Sequence, residues 1–222
     1  MKIIAMKIIA ICGSPRGGRS QTRLLAEAVL SVAQEKGAET LFIDAGKAQV
    51  RGCMACEACH RGPDCVIKDD AAGIQRQMLE ADGIILASPV YLDQVTSQLK
   101  ALLDRTSHFI HCLRLTGKYV AAVTTSGGGG GDATAAFLRS YALMTGAQYV
   151  GAVHASPPLD QAHLAAARRL GTELVAAIQG RQQWPDQLAA IEGQRFFFRQ
   201  SIDFWKEQWP YEFAYWQRMG WV

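Results

Sequence analysis

The residues with the clearest capacity for chemistry are four cysteines in the stretch GCMACEACHRGPDCVIKDD, residues 52–70. Cys53, Cys56, Cys59 and Cys65 follow the spacing C-x2-C-x2-C-x5-C, and residues 53–65 are called the cysteine segment below. Three thiolates two residues apart can surround one face of a cubane cluster, and a fourth can reach back to complete it. Neighbouring thiolates repel one another unless a cation neutralises them. The spacing therefore favours either one metal centre or protonated thiols.

Three interpretations of the cysteine segment stay open. An iron–sulfur cluster fits the compact spacing, although the bacterial ferredoxin run ends in C-x3-C-P and a longer gap precedes Cys65 here. Tetrahedral zinc also takes four thiolates, but its sites usually pair two C-x2-C units across a longer gap. In the third interpretation the thiols are free or form disulfides. His60 could replace a ligand, but we expect it to be a solvated loop histidine.

Composition and charge point away from nucleic acids and membranes. The 222 residues are 49% hydrophobic, which allows a full core, and the net charge is only +3. We see no apolar run near the roughly 20 residues of a membrane span, so we expect a soluble, cytoplasmic protein without a nucleic-acid or membrane partner. That compartment disfavours structural disulfides. The pentapeptide MKIIA occurs twice, and we regard residues 1–5 as an extension without a function.

Short apolar runs alternate with helical patterns from Met6 onwards, and these elements must position any site. The runs are continuous rather than alternating, which is typical of strands buried on both faces of a parallel sheet. The predicted strands are Lys7–Cys12, Thr40–Asp44, Gly83–Ala87, Tyr119–Thr124 and Gln148–Val153. The pattern predicts a doubly wound α/β domain with right-handed crossovers, whose ligand binds at the carboxyl ends of the strands.

Three loops follow predicted strand ends at that edge. The first loop, GSPRGGRSQTR at residues 13–23, has small residues and hydroxyls and opens onto a helix, which suits a phosphate. The second loop, SPVYLDQVTSQLK at residues 88–100, offers apolar and aromatic groups to a flat ligand. The third loop, TTSGGGGGD at residues 124–132, allows close approach of the backbone. The first loop matches neither the dinucleotide fingerprint nor the P-loop, and alone it could be an ordinary turn capped by Ser20.

Other chemically capable residues receive structural roles. Asp69 and Asp70 precede a helical pattern, so we expect their carboxylates to cap that helix rather than to act in acid–base catalysis. Cys12 and Cys112 fall in apolar patterns and are interpreted as packing residues.

The pattern of strands and helices does not continue to the end of the chain. Residues 181–222 hold more than half of the aromatic residues, in the runs FFF, FWKEQWP and YEFAYWQRMGW. We predict one domain over residues 1–180 and a C-terminal helical extension over residues 181–222, which packs on the domain or on a partner subunit. An alternative is that one aromatic ring of this extension covers the ligand of a neighbouring chain.

The three loops together resemble a known family. GSPR with a downstream Ser and Thr, SPVY followed by QLKALLDRT, and the Gly-rich third loop closely resemble the flavodoxin-like NAD(P)H-dependent FMN reductases, from about Met6 to Val153. The cysteine spacing resembles the iron-sulfur flavoprotein subgroup. The resemblance implies an α/β, flavodoxin-like three-layer sandwich with a five-stranded parallel sheet in the order 2-1-3-4-5, plus the aromatic-rich C-terminal tail.

Carried over to this chain, the resemblance implies an FMN site built from all three loops. The phosphate would be surrounded by Ser14, Arg16, Ser20, Gln21 and Thr22, where Gln21 stands in place of the Asn of many relatives. The isoalloxazine ring would be bordered by Pro89, Val90, Tyr91 and Leu92 on one side, and by Thr125, Ser126, Gly127 and Gly128 on the other.

The resemblance also implies a metal cofactor and an assembly. Cys53, Cys56, Cys59 and Cys65 would bind a [4Fe–4S] cluster near the flavin, and subunits would associate as a homodimer or homotetramer. Such a cluster would exchange single electrons with the flavin across a subunit interface.

The predicted function is that of an FMN-dependent oxidoreductase, which passes electrons from NAD(P)H to a flavin, a quinone or a similar small acceptor. We assign no nucleophile or general base, because the flavin itself carries this chemistry. One alternative is an iron–sulfur flavoprotein electron carrier with ferredoxin as the donor. A second alternative is a thiol or metal redox sensor, whose cysteine segment reorganises on oxidation or zinc binding.

Overall fold

The computed structural model describes residues 6–222, so the extension proposed for residues 1–5 lies outside the described residues. Parallel strands form a five-stranded sheet in the order β2-β1-β3-β4-β5. They are β1 (Lys7–Cys12), β2 (Glu39–Asp44), β3 (Gly83–Pro89), β4 (Tyr119–Thr125) and β5 (Gln148–Ala155). The predicted sheet order is confirmed, and the predicted strand bounds differ from these by at most two residues.

Helices cover both faces of the sheet and give three layers. They are α1 (Gln21–Glu35), α2 (Ala58–Arg61), α3 (Ala71–Glu80), α4 (Ser97–Asp104), α5 (Ser107–His111), α6 (Gly131–Met144), α7 (Gln161–Gly180), α8 (Pro185–Phe204) and α9 (Pro210–Arg218). Helices α1 and α7 bury their apolar faces on one side of the sheet, and α3, α4 and α6 do so on the other. None of the helices within residues 6–222 has the length and apolar composition needed to cross a membrane.

The two cores are built from alternate residues of the same strands. In β1, Ile8 and Ala10 pack towards α1 and α7, whereas Ile9 and Ile11 pack towards the opposite layer. Side chains of a strand point alternately to its two faces, and here both faces are covered. This double burial is the reason that the strands appear in the sequence as continuous apolar runs.

The C-terminal helices pack on the remainder of the same chain. A third apolar cluster joins Cys112 and Leu113 with Ile191, Ile202 and Trp216 of α8 and α9. The amide of Gln187 accepts the Tyr149 N–H at 2.7 Å and donates to its carbonyl at 2.9 Å, so α8 covers the free edge of β5. A domain boundary at residue 180 and contact with a partner subunit stay predictions.

Candidate functional site

A cleft of about 160 Å³ opens at the carboxyl edge of the sheet, where the three predicted loops meet. It is lined by residues of all three loops, namely Ser14, Arg16, Ser20, Gln21, Thr22, Pro89, Val90, Tyr91, Thr125, Ser126 and Gly127. Leu92 and Gly128, which sequence reasoning placed beside the flavin ring, are outside this lining. The crossovers that follow β1 and β3 go to opposite faces of the sheet, and such a divergence creates a crevice.

The first loop connects β1 directly to α1. Gly13 donates its N–H to the carbonyl of Ala87 at 2.8 Å, and the following Ser14 is buried. Ser20 is the N-cap of α1, with its Oγ accepting the Arg23 N–H at 3.1 Å. The first turn of α1 therefore directs backbone N–H groups and the positive end of the helix dipole into the cleft, which suits an anion such as phosphate. Arg16 lines the cleft but is exposed to solvent.

Thr125, at the end of β4, is the junction of the three loops. Its hydroxyl lies 2.6 Å from the hydroxyl of Thr22, and both side chains are buried. Its carbonyl accepts the Val90 N–H at 2.8 Å. These two bonds connect the third loop to the first and to the second, so they set the width of the cleft.

The second loop forms the apolar wall of the cleft. The Oγ of Ser88 accepts the Thr96 N–H at 2.9 Å, and the Thr96 hydroxyl donates to the Gly13 carbonyl at 2.7 Å, so this loop is tied to the first one. Tyr91 is half-exposed at the cleft. Leu92 is fully exposed and adopts a φ of 51°, a backbone conformation that strains a residue other than glycine.

The third loop is held in place by hydrogen bonds of the Ser126 hydroxyl. The Ser126 Oγ accepts the Gly129 N–H at 3.1 Å and lies 3.3 Å from Nε2 of His154, whose Nδ1 is 2.9 Å from the Thr124 hydroxyl. Gly129 and Gly130 have φ values of 124° and 75°, which only glycine adopts readily. The glycine run therefore allows the chain to turn from β4 into α6 beside the cleft.

The loop after β5 also contributes to the cleft, and sequence reasoning missed it. Pro157 is part of the lining, and the Gln21 Oε1 accepts the Leu159 N–H at 3.3 Å. A signal was available, because β5 ends at the same edge of the sheet as the other strands. Its loop has neither the glycines nor the hydroxyl run that marked the other three, so composition alone did not single it out.

The four cysteines of the cysteine segment line a second pocket of about 30 Å³, together with Met54, Glu57, Ile67, Asp104, Arg105 and Ser107. Ala55 and Glu57, on either side of Cys56, have φ values of 51° and 58°. Left-handed residues within such a turn can point successive backbone N–H groups into one concavity, an arrangement that recurs around iron–sulfur clusters. Within the described chain, all of the cysteines are free thiols.

The cysteines differ in their surroundings. Burial, together with the carboxylate of Glu212, raises the pKa of Cys59 to about 11, so at neutral pH its thiol releases a proton only in exchange for a cation. Cys53 and Cys56 are exposed and Cys65 is half-buried. Cys12 and Cys112 are buried in the apolar clusters, and their positions agree with the packing role expected of them.

Arg105 forms the inner wall of the cysteine pocket. Its Nη1 donates to Oδ2 of Asp69 at 2.8 Å, and its Nη2 donates to the carbonyl of Ile67 at 3.2 Å. Its Nε–H is buried and has no acceptor within residues 6–222. A buried donor normally has a partner, so an acceptor such as a thiolate or cluster sulfur fits this pocket.

The expectation that both aspartates cap the next helix is correct for Asp69 alone. Its Oδ1 accepts the Ala71 N–H at 3.1 Å. Asp70 is the N-cap residue of α3, but its side chain makes no capping bond there within the described chain. Its Oδ2 accepts the Gln49 N–H at 2.8 Å instead. The segment before the cysteines lacks strand partners for its backbone donors, and the two carboxylates supply the acceptors.

His60 is not the solvated loop histidine that was expected. It is buried, and its Nδ1 donates to Oε1 of Glu212 in α9 at 2.8 Å. His111 donates to the other carboxylate oxygen at 3.1 Å, and both imidazoles stack with Trp209. Burial alone would raise the pKa of Glu212, but these two hydrogen bonds hold it below its ordinary value. Ligand atoms of the three groups lie within 4.8 Å of one another, as in a metal site, but both Nδ1 atoms and both carboxylate oxygens are already paired in these two hydrogen bonds.

Comparison with solved structures identifies the fold class. The flavodoxin, WrbA-like protein from Agrobacterium tumefaciens superposes with a TM-score of 0.60 and 21% identity, covering 80% of this chain and 100% of that one. At that identity the likeness concerns the fold alone. The sheet order and this likeness thus define a flavodoxin-like fold.

Comparison of sequences gives the family. The NADPH-dependent FMN reductase family matches residues 6–159. The chain belongs to this family, as the sequence predicted, and the curated relatives that it matches are named iron-sulfur flavoproteins.

Two curated relatives illustrate the relationship. An iron-sulfur flavoprotein of Methanocaldococcus jannaschii is 42% identical over 118 residues, which are 53% of this chain and 61% of that protein. An iron-sulfur flavoprotein of Archaeoglobus fulgidus is 27% identical over 218 residues, which are 91% of this chain and 99% of that protein. The stronger match thus spans less than two thirds of the relative's length.

Proposed function

We propose that this protein is an FMN-dependent oxidoreductase, which takes electrons from NAD(P)H and passes them to a flavin, a quinone or a similar small acceptor. The observation that carries the proposal is the convergence of three separate loops on one cleft at the carboxyl edge of the sheet. One loop supplies a helix N-terminus and hydroxyls, the second an apolar wall, and the third a glycine-rich backbone. FMN has matching parts, namely a phosphate, a flat ring and a polar ring edge.

The residues of the chain bind and orient rather than react. Ser14, Thr22 and the first turn of α1 hold the phosphate, and Pro89, Val90 and Tyr91 provide the apolar surface for the ring. Bound FMN supplies hydride acceptance and electron transfer. Tyr91 is 48% exposed, so the wall it forms is open towards solvent and leaves room for a second flat molecule.

The test of FMN binding compares FMN with riboflavin, which lacks the phosphate. We expect the protein to quench FMN fluorescence and to bind FMN at least tenfold more tightly than riboflavin. Ser14→Ala, at a buried hydroxyl in the cleft, should weaken FMN binding about tenfold and leave riboflavin binding unchanged. Ser140→Ala, at an exposed position on α6, is the matched control. Equal affinity for both flavins in the wild type would contradict the proposed phosphate site.

The choice of electron donor has its own measurement. Under anaerobic rapid mixing, NADH or NADPH should reduce the bound flavin faster than free FMN, and the faster of the two is the preferred nucleotide. Reduction at the rate of free FMN with both nucleotides would remove NAD(P)H from the proposal. Reduction by reduced ferredoxin in the same experiment would then support the electron-carrier alternative.

A second component of the proposal is a [4Fe–4S] cluster held by Cys53, Cys56, Cys59 and Cys65. It is supported by the left-handed turns on either side of Cys56 and by the buried Nε–H of Arg105 in the wall of the same pocket. The cluster, when bound, supplies one-electron transfer. Protein purified without oxygen should contain iron and acid-labile sulfide and show a broad absorption that reductant bleaches. A colourless zinc protein would support the sensor alternative, in which Cys56→Ser changes the affinity for a partner rather than turnover.

The proposed assembly is a homodimer or homotetramer in the cytoplasm, with a small redox molecule as the partner of each active site. Light scattering of the purified protein should give a mass of two or four chains. A monomer at micromolar concentration would contradict the assembly without affecting the flavin site.

A further inference from the structure

Arg105 is a buried cation at the pocket of the cysteine segment. It is the C-cap residue of α4, and its side chain is only 1% exposed. The pocket that it lines contains Cys53, Cys56, Cys59 and Cys65. A buried guanidinium requires compensating groups, because removal of a charge from water is unfavourable unless the charge is paired and hydrogen-bonded.

The bonds of Arg105 close the chain around the cysteine segment. Its Nη1 donates to the Arg51 carbonyl at 3.0 Å and to Oδ2 of Asp69 at 2.8 Å. Its Nη2 donates to the Ile67 carbonyl at 3.2 Å. Arg51 precedes the segment, whereas Ile67 and Asp69 follow it, so one guanidinium holds both ends of the segment.

One nitrogen of this guanidinium has no acceptor among the described residues. The Nε–H is buried and unpaired, whereas Nη1 donates two hydrogen bonds and Nη2 donates one. Arginine stays protonated in proteins, so the side chain is a permanent cation with a free donor. The pocket that it faces is lined by the four cysteines together with Met54, Glu57, Ile67, Asp104 and Ser107.

We infer that Arg105 is a positioning and tuning residue for the four-cysteine site, with its Nε–H donating to a Cys65 sulfur or to a sulfide of the bound metal group. The inference rests on the proposed function, because it assigns a residue to the metal group proposed there. The fixed charge would stabilise the anion that four thiolates form around a metal. If the group is a [4Fe–4S] cluster, its reduction would add one electron, and the same charge would favour the reduced state.

Two measurements test this role, and one of them does not need iron. In reduced protein freed of metal by a chelator, Co²⁺ bound by thiolates gives intense near-ultraviolet charge-transfer bands. Arg105→Gln should bind Co²⁺ about tenfold more weakly than the wild type. In anaerobically purified protein, the same variant should lower the equilibrium constant for cluster reduction about tenfold, which is ~59 mV for a one-electron couple.

The Arg105→Lys variant distinguishes the effect of the positive charge from the effect of the hydrogen bonds that hold the two ends of the cysteine segment. Lysine keeps the positive charge but cannot reproduce the three hydrogen bonds of the guanidinium. Co²⁺ affinity within threefold of the wild type would therefore support a role of the charge in stabilising the metal group. Arg169→Gln, at an exposed arginine of α7, is the matched control for loss of one positive charge and should leave both quantities unchanged. Far-ultraviolet circular dichroism verifies that each variant is folded, independently of flavin binding.

Several outcomes would overturn the inference. Wild-type values for Arg105→Gln would show that the charge has no influence on the metal group. If Arg105→Lys and Arg105→Gln lose Co²⁺ affinity equally, Arg105 acts only by holding the ends of the cysteine segment and not through its charge. If Arg105→Gln does not fold, the test depends on Arg105→Lys. A tenfold loss of Co²⁺ affinity in folded Arg105→Lys would also show that the charge does not tune the metal group. Absence of iron from the wild type would instead contradict the proposed cluster, while the Co²⁺ titration would still report on Arg105.

Discussion

The Nδ1 atom of His60 lies 2.8 Å from Oε1 of Glu212, so the residue next to Cys59 is hydrogen-bonded to the C-terminal helix α9. The two residues are 152 positions apart in the chain. Glu212 is fully buried, and His111 pairs with its second oxygen. The cysteine segment and the C-terminal tail are therefore held together by one carboxylate.

Glu212→Ala should loosen both the tail and the cysteine segment. The change leaves the buried donor of His60 without an acceptor, which costs about 1–3 kcal/mol, and it also removes the acceptor of the half-buried His111, where water can partly compensate. We expect the free energy of unfolding, measured by urea titration, to fall by about 2–4 kcal/mol. Alkylation of Cys59 in metal-free protein should also become faster. Glu207→Ala, at an exposed position in the same tail, is the control. Equal urea midpoints for the two variants would show that Glu212 does not hold the tail to the cysteine segment.

Gly13→Ala should damage the cleft, because the added Cβ would lie 2.6 Å from Cβ of Leu99 and 2.7 Å from Oγ1 of Thr96. Helix α4 and the first loop must move apart, and overpacking of this kind costs about 1–3 kcal/mol. We expect FMN affinity, measured by fluorescence quenching, to fall at least tenfold. Gly18→Ala is the control in the same loop, since its Cβ would meet no atom within 4 Å among the described residues. Parallel behaviour of the two variants would disprove the steric argument.

His108 should make the protein sensitive to mild acid. Burial, assisted by the charge of Arg114, lowers the pKa of His108 to about 4 in the folded state, whereas an unfolded histidine titrates near ~6.5. Between these values only the unfolded state binds the proton, so stability is lost as pH falls from about 6.5 to about 4, by up to about 3 kcal/mol.

The measurement compares urea unfolding of metal-free wild type and His108→Phe across that pH range. The phenylalanine variant keeps an aromatic ring but lacks the titrating group, so its stability should fall less steeply. His163→Gln, at a partly exposed histidine of α7, is the control for loss of a histidine. Coincident profiles for wild type and His108→Phe would exclude His108 as the source of acid sensitivity.

Gln187→Ala should detach α8 from the edge of the sheet. The side chain makes two hydrogen bonds to the backbone of Tyr149, at 2.7 and 2.9 Å, and it is buried. Its loss leaves an edge N–H and a carbonyl without partners, so we expect about 1–3 kcal/mol of destabilisation and faster amide exchange at Tyr149. Gln200→Ala, exposed on the same helix, is the control. Unchanged exchange at Tyr149 would show that α8 does not protect this edge.

Local patterns in the sequence were sufficient for the framework. Both faces of the sheet are covered, so nearly every residue of a strand is apolar. These continuous apolar runs can be recognised in the sequence without the structure. The loops of the cleft could be grouped because parallel strands bring their carboxyl ends to one edge. Pro157 escaped this reasoning, since its loop lacks the glycines and hydroxyls that marked the others.

Pairing between distant residues was decided by the tertiary structure alone. In the sequence, His60 is a histidine in a polar loop and Arg105 ends an amphipathic helix. The residues near each of them do not indicate with which side chain it pairs. The fold brings Glu212 to the first and Asp69 to the second, and it buries all four side chains. Periodicity reports which face of an element is apolar, but the partner of a buried charge depends on how complete elements pack, and that information is not local.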